Sequence, residues 1–159
     1  MTKLSIEQMN EKLANEILNW KYDKPYDFYN NDVTEEAKQE LLDGTYYALV
    51  GDWKELIGFF CIGNSAQVPI GNRFGVYRED YVDMGLGMNP NFVGKGNGFD
   101  FCASIIKFIK ENYQHTPIRL TVATFNQRAI HLYEKLGFAF EHEFSTDVAQ
   151  FITMVKKDS

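Results

Sequence analysis

The chain has 159 residues, a length that fills one domain around a single buried core. Apolar residues make up 45% and the formal net charge is −6, which excludes a disordered chain and argues against nucleic acid as a partner, because phosphate binding calls for a basic patch. Two cysteines, Cys61 and Cys102, make neither a disulfide framework nor a zinc spacing, and no apolar run is long enough to span a bilayer.

The first residues, MTKLSIEQMN, lack the apolar centre of a signal peptide, so a cytoplasmic protein with no membrane partner is expected. Ser5-Ile6-Glu7-Gln8 predicts a capping box opening a helix that carries Met9, Leu13, Ile17 and Trp20, with room for a short strand before it. Tyr22 to Asp32 is rich in aromatics and carboxylates and is interrupted by Pro25. It has two readings: a wall of a substrate site suited to an organic ammonium group, through Tyr26, Asp27, Phe28 and Tyr29, or a solvated loop with its rings tucked onto the core. Asp32-Val33-Thr34-Glu35 caps a second helix that Gly44 stops. Thr45–Val50 and Leu56–Ile62 predict a hairpin around Gly51-Asp52. Gly63 to Asp80 shows no period and is read either as a cover over a site or as an extended hairpin.

Tyr81 to Tyr113 organises the rest. Val82, Met84, Leu86 and Met88 alternate with Asp83, Gly85 and Gly87, which predicts a strand; Asn89, Pro90 and Asn91 end it. Gly94, Gly96 and Gly98 follow at every second position, and Phe99, Cys102, Ile105, Ile106 and Ile109 then fall at helical spacing. A helix start offers unpaired N–H groups and partial positive charge, and glycines before it let a phosphate approach the backbone. Lys95 adds a formal charge. The loop is neither a P-loop nor a dinucleotide fingerprint, since no Lys-Ser or Lys-Thr follows and the third glycine is misplaced.

Beyond the helix, Ile118–Val122 alternates as a strand, and Phe138–Phe144 and Phe151–Val155 read as the last two strands. Between them Asn126 is placed to cap a helix and Gly137 to end it, with Ala129, Leu132, Tyr133 and Leu136 on one apolar face. His115, His131 and His142 show no metal-ligand spacing, so no metal is expected.

Two stretches carry a family resemblance. Val93-Gly94-Lys95-Gly96-Asn97-Gly98 resembles the acyl-CoA pyrophosphate loop of the GNAT acetyltransferases, Gln/Arg-Gly-x-Gly-x-Gly/Ala, with Val93 in place of Gln or Arg. Asn126 to Phe138 is similar to the family pattern Asn-x-x-Ala-x-x-Leu-Tyr-x-Lys-Leu-Gly-Phe at every fixed position, and its closest match in motif is the bacterial ribosomal-protein-alanine acetyltransferase-like branch. The resemblance implies a single N-acetyltransferase domain over 1–159, of α/β (α+β) class, with a mostly antiparallel twisted sheet of six to seven strands and helices on both faces. It implies acetyl-CoA as co-substrate, held by Leu86, Gly87, Met88, Val93, Gly94, Lys95, Gly96, Asn97, Gly98 and Asn126. An amine-bearing acceptor, small molecule or protein, is the second partner; the chain acts as monomer or homodimer.

The resemblance also implies Tyr133 as the acid facing the coenzyme sulfur. Asp83, on the strand before the loop, is the candidate base, directly or through water; its other reading is an anchoring carboxylate. Glycines inside that strand predict either a bulge or a close backbone approach. The acidic balance favours a cationic acceptor. The alternative function is a CoA-binding sensor or adaptor with reduced catalysis, which Val93 motivates.

Overall fold

The computed structural model describes residues 4–157. Seven strands form one sheet in the order β1-β2-β3-β4-β5-β7-β6: β1 Ser5–Gln8, β2 Tyr46–Val50, β3 Leu56–Ile62, β4 Val82–Met88, β5 Ile118–Ala123, β6 Ala139–Ser145 and β7 Gln150–Lys156. The β4–β5 pair is parallel, whereas β1–β2, β2–β3, β5–β7 and β6–β7 are antiparallel. Among the described residues, four α-helices accompany the sheet: α1 Glu11–Leu18, α2 Glu35–Leu41, α3 Gly98–Asn112 and α4 Gln127–Lys135. Among the described residues, no helix is long and apolar enough to cross a membrane.

The chain gathers into two compact units, one holding the residues up to Cys61 together with Leu86–Phe101, the other Ile62–Gly85 and the chain from Cys102 onward. In the first unit, Ala14, Ile17, Leu18, Trp20, Leu41, Ala48, Val50 and Leu56 form one core cluster. Helical spacing on α1 puts Ala14, Ile17 and Leu18 on that buried face. The capping box expected at Ser5–Gln8 is instead β1, in antiparallel register with β2 from Ser5↔Val50 to Gln8↔Tyr47. Ladder hydrogen bonds with β2 replace the helical ones that a cap at Ser5 would start. Asn10 caps α1 in its place, its Oδ1 accepting the Leu13 N–H at 2.9 Å. Within the Asp32–Glu35 capping pattern it is Thr34 that caps α2, accepting from the Ala37 N–H.

In the second unit, Val76, Ala123, Phe144 and Phe151 form one core cluster. Ile105, Ile109 and Thr153 are fully buried there as well. The 63–80 stretch is no hairpin: it folds as two 3-10 turns, Gly63–Ala66 and Pro69–Phe74. It gets its order from half-buried polar partners. The Tyr77 hydroxyl accepts the Val68 N–H at 3.0 Å and meets Thr121 Oγ1 at 2.8 Å. The ladder of β6 with β7 shifts register between Phe140 and His142, leaving Glu141 as an extra residue.

Candidate active site

In the first unit, the end of β4 leads into the glycine loop through a tightly held corner. Gly87 carries no side chain for a reason of space: a Cβ there would run into the Phe59 ring. It is a side-chain ring and not a second backbone that packs on Gly87, and Gly85 and Gly87 both follow Met84, the last residue paired with β5. The Met88 carbonyl accepts a hydrogen bond from the Tyr22 hydroxyl at 2.7 Å. Burial raises the pKa of that hydroxyl to about 12, so it stays a donor. Asn89 is buried and satisfied on every side: its Nδ2 donates to the Leu56 carbonyl at 2.9 Å, its N–H to the Ile57 carbonyl at 2.8 Å, and its Oδ1 accepts the Asn91 N–H at 3.0 Å.

The loop itself bends through left-handed backbone at Gly94 (φ 74°) and Gly96 (φ 82°), conformations that favour glycine. Nothing stands within 4 Å of the place a Gly96 Cβ would take, so the loop has room on that side for a ligand. Asn97 then turns the chain into α3: its carbonyl accepts the Phe101 N–H at 3.1 Å, and its Nδ2 donates to the Phe92 carbonyl. Gly98 opens α3, where the first-turn N–H groups lack helical acceptors. Exposed Lys95 lies between the two bent glycines. This donor set, with a cation and no Cβ in the way, fits a pyrophosphate.

The 22–30 segment belongs to the same unit. Tyr26–Tyr29 is a 3-10 turn in which Phe28 and Tyr29 meet edge to face at 5.2 Å, 41% and 37% exposed. Tyr22 ties the segment to the end of β4, and its N–H donates to Asn30 Oδ1 at 2.8 Å.

The second unit holds Asp83, Asn126 and Tyr133. Asp83 is 4% exposed and both of its oxygens are engaged. Oδ1 accepts from Arg119 Nε at 2.6 Å, and Oδ2 from Arg119 Nη2 and Gln67 Nε2, both at 2.8 Å. With both oxygens engaged, an amine reaches them only by displacing Arg119 or Gln67. Arg119 is itself 1% exposed, with its guanidinium over the rings of Tyr77 and Tyr81 at 5.1 and 5.3 Å. Burial acts to lower its pKa, but the hydrogen bond and charge of Asp83 outweigh burial and the net shift is upward. Its Nη1 also donates to the Val76 and Glu79 carbonyls.

Asn126 caps α4, its Oδ1 accepting the Ala129 N–H at 3.2 Å, and Gly137 ends it with φ 99°. Tyr133 is buried on α4 with its ring 6.1 Å from that of Phe138.

Four residues that matter here escape a sequence reading. Tyr22 sits in the aromatic stretch without a mark of its own. Asn89 reads as a strand breaker. Gln67 lies in a stretch with no period, and Arg119 in an alternating strand that gives it no separate mark. The only signal for Arg119 is a charged residue among five strand-forming neighbours.

The sequence profile of the Acetyltransferase (GNAT) family matches residues 12–138, and the chain belongs to that family. No curated protein matches it by sequence. Among solved structures it is similar to a GNAT-family acetyltransferase from Bacillus anthracis, at 14% identity, TM-score 0.73, covering 98% of this chain and 95% of that one. A putative GNAT-family acetyltransferase from Bordetella pertussis gives 14% identity and TM-score 0.75, over 96% and 95% of the two chains. A chimera of spermidine N-acetyltransferase SpeG from Vibrio cholerae and hSSAT gives 17% identity and TM-score 0.68, over 98% and 96%. At these identities the likeness shows the fold, an α/β structure with a seven-stranded, mostly antiparallel sheet.

Proposed function

We propose that the chain is an N-acetyltransferase that moves an acetyl group from acetyl-CoA directly to a primary amine, working as a single domain. The observation that carries this reading is the loop at 94–98, with left-handed backbone at Gly94 and Gly96 running straight into the start of α3. In this reading the loop's N–H groups and Lys95 grip the pyrophosphate, with Val93 contributing backbone alone. The β4 backbone at Leu86, Gly87 and Met88 holds the pantetheine arm, and Asn126 adds a polar contact.

The amine lone pair attacks the thioester carbonyl. A C–N bond forms, the C–S bond breaks, and the leaving thiolate takes a proton from the Tyr133 hydroxyl. The amine proton passes to solvent, since Asp83 is held by Arg119, and the Tyr133 phenolate regains a proton from solvent. Holding donor and acceptor together supplies much of the acceleration. Tyr26, Asp27, Phe28 and Tyr29 form the acceptor wall, an aromatic and acidic surface suited to a cationic amine. Support for that placement comes from the Tyr22 hydrogen bond to Met88, which ties the segment to the strand assigned to the coenzyme arm.

The test is a calorimetric titration with acetyl-CoA, read together with amide exchange at Gly94–Gly98, followed by an acetyl-CoA-dependent screen of amines. The panel holds polyamines, because some of the similar structures are described as spermidine N-acetyltransferases, and an alanine-terminated peptide, because of the motif resemblance to the ribosomal-protein-alanine branch. Heat and protection of those amides, with CoA released on one class of amine, are expected. Binding without turnover on any amine would establish the sensor reading, which the engaged state of Asp83 and the valine at position 93 favour.

A further inference from the structure

Outside the residues assigned to acetyl transfer, the second unit brings together Glu79, Glu141 and His142. One ligand-capable atom from each lies within 4.8 Å of the others. His142 Nε2 stands 3.9 Å from Glu79 Oε1 and 3.7 Å from Glu141 Oε1. Those separations are too long for hydrogen bonds. They are close to the roughly 3.4 Å that separates two ligands on a tetrahedral zinc ion, given bonds of about 2.0–2.1 Å.

Two further observations distinguish this group from a chance meeting of surface charges. First, neighbours on a regular strand point to opposite faces, so Glu141 and His142 would normally diverge. Here the β6–β7 register passes from Phe140↔Met154 to His142↔Thr153 and skips Glu141. The bulge re-aims the side chains so that both reach the same point. The His142 N–H is held there by Thr153 Oγ1 at 3.1 Å. Second, Glu141 Oε1 is a buried side-chain oxygen with no hydrogen-bond partner among the described residues. A buried carboxylate oxygen left in that state is costly unless a cation meets it.

We propose that Glu79, Glu141 and His142 form a site for one divalent transition-metal ion of zinc type. One imidazole nitrogen and two carboxylate oxygens are a borderline donor set that suits Zn²⁺ and its Co²⁺ surrogate better than Mg²⁺ or Ca²⁺, which take oxygen alone. The Glu79 and His142 side chains are 39% and 44% exposed and Glu141 is 20% exposed, so an ion can enter and water can fill the remaining coordination positions. Glu79 is positioned from behind, since its backbone carbonyl accepts from Arg119 Nη1 at 3.3 Å. The positive charge of Arg119 is neutralised locally by its pair with Asp83. A bound ion would tie the loop before β4 to the bulged strand β6. Its role is a staple on that loop, separate from the acetyl-transfer chemistry.

The test uses the full chain, stripped with chelator and titrated with CoCl₂ and ZnCl₂. One Co²⁺ per chain, with visible absorption displaced by Zn²⁺, and a zinc-dependent rise in Tm are expected. Glu141→Gln and His142→Ala should each weaken Co²⁺ binding at least tenfold, while His115→Ala and His131→Ala leave it unchanged. Glu141→Gln keeps the side-chain shape, and its metal-free Tm separates a folding defect from loss of a ligand. Absence of a stoichiometric site, or Co²⁺ binding that survives both Glu141→Gln and His142→Ala, overturns the proposal and leaves an electrostatic contact of His142 with two carboxylates.

Discussion

Arg119 and Asp83 are register partners on the parallel strands β5 and β4, and they close two hydrogen bonds at 2.6 and 2.8 Å with both side chains almost wholly buried. Two opposed charges in the interior depend on each other: removing one leaves the other uncompensated, at a cost of about 3–5 kcal/mol. Asp83→Ala should lower unfolding stability by that amount in a urea titration. Replacing both by leucine should recover most of the loss, because no lone charge remains. Asp83→Asn should lower Tm while turnover of the folded fraction changes by no more than a few-fold. A hundredfold loss of turnover with Tm intact would instead make Asp83 the base.

Tyr133 is assigned the opposite behaviour. General acid catalysis by a positioned side chain is worth about 10²–10⁴-fold. Tyr133→Phe keeps the ring beside Phe138 and should lower kcat by that range, with acetyl-CoA affinity and Tm little changed. Unaltered kcat on an acceptor found in the screen refutes the assignment.

Gly96 and Gly87 are glycines for different reasons, and alanine tells them apart. At Gly96 there is space but the backbone is left-handed, so Gly96→Ala should cost about 1–2 kcal/mol, mostly within the loop, and weaken acetyl-CoA binding about tenfold. At Gly87 a Cβ meets the Phe59 ring, and overpacking of about 1–3 kcal/mol should appear as a lower Tm. Calorimetry with acetyl-CoA and thermal melts of both variants check the contrast.

Tyr22 gives the alkaline limb of stability a marker. Burial raises its folded pKa to about 12, above the ordinary value of 10.0. Between these values the unfolded chain gives up the proton that the folded chain keeps, so stability falls as pH rises through that window. The contribution is complete below the lower value and gone above the upper one. Tyr22→Phe should flatten the slope and, by removing the donor to Met88, lower stability by about 1 kcal/mol at neutral pH. Urea unfolding of both proteins across that pH range is the measurement.

What the sequence made legible was local. The glycine loop, the Asn126 cap and the Gly137 stop depend on residues within a few positions of each other, and all three appear where composition and spacing put them. The misreadings involve distant partners. Ser5–Gln8 has the letters of a helix cap, yet β2, about forty residues on, supplies a ladder that competes better. The 63–80 stretch looks shapeless because its order comes from Gln67 to Asp83, Tyr77 to Thr121 and Arg119 to the Val76 and Glu79 carbonyls. The choice between base and anchor at Asp83 had no local signal, because Arg119 lies on another strand. Nothing local marks Arg119 as buried, yet β5 lies between β4 and β7 and Arg119 is enclosed there. Likewise no spacing rule joins Glu79 to His142 across a bulge.

The displaced register of β6 also bears on how the molecule keeps to itself. β6 ends the sheet, and a flat terminal strand offers its unused N–H and C=O groups to any other extended chain. The additional residue at Glu141 interrupts that template midway and sets charged side chains beside the break. Deleting Glu141 would restore a continuous docking rail with Phe140 already 59% exposed, and the shortened protein should precipitate at concentrations where the parent stays clear.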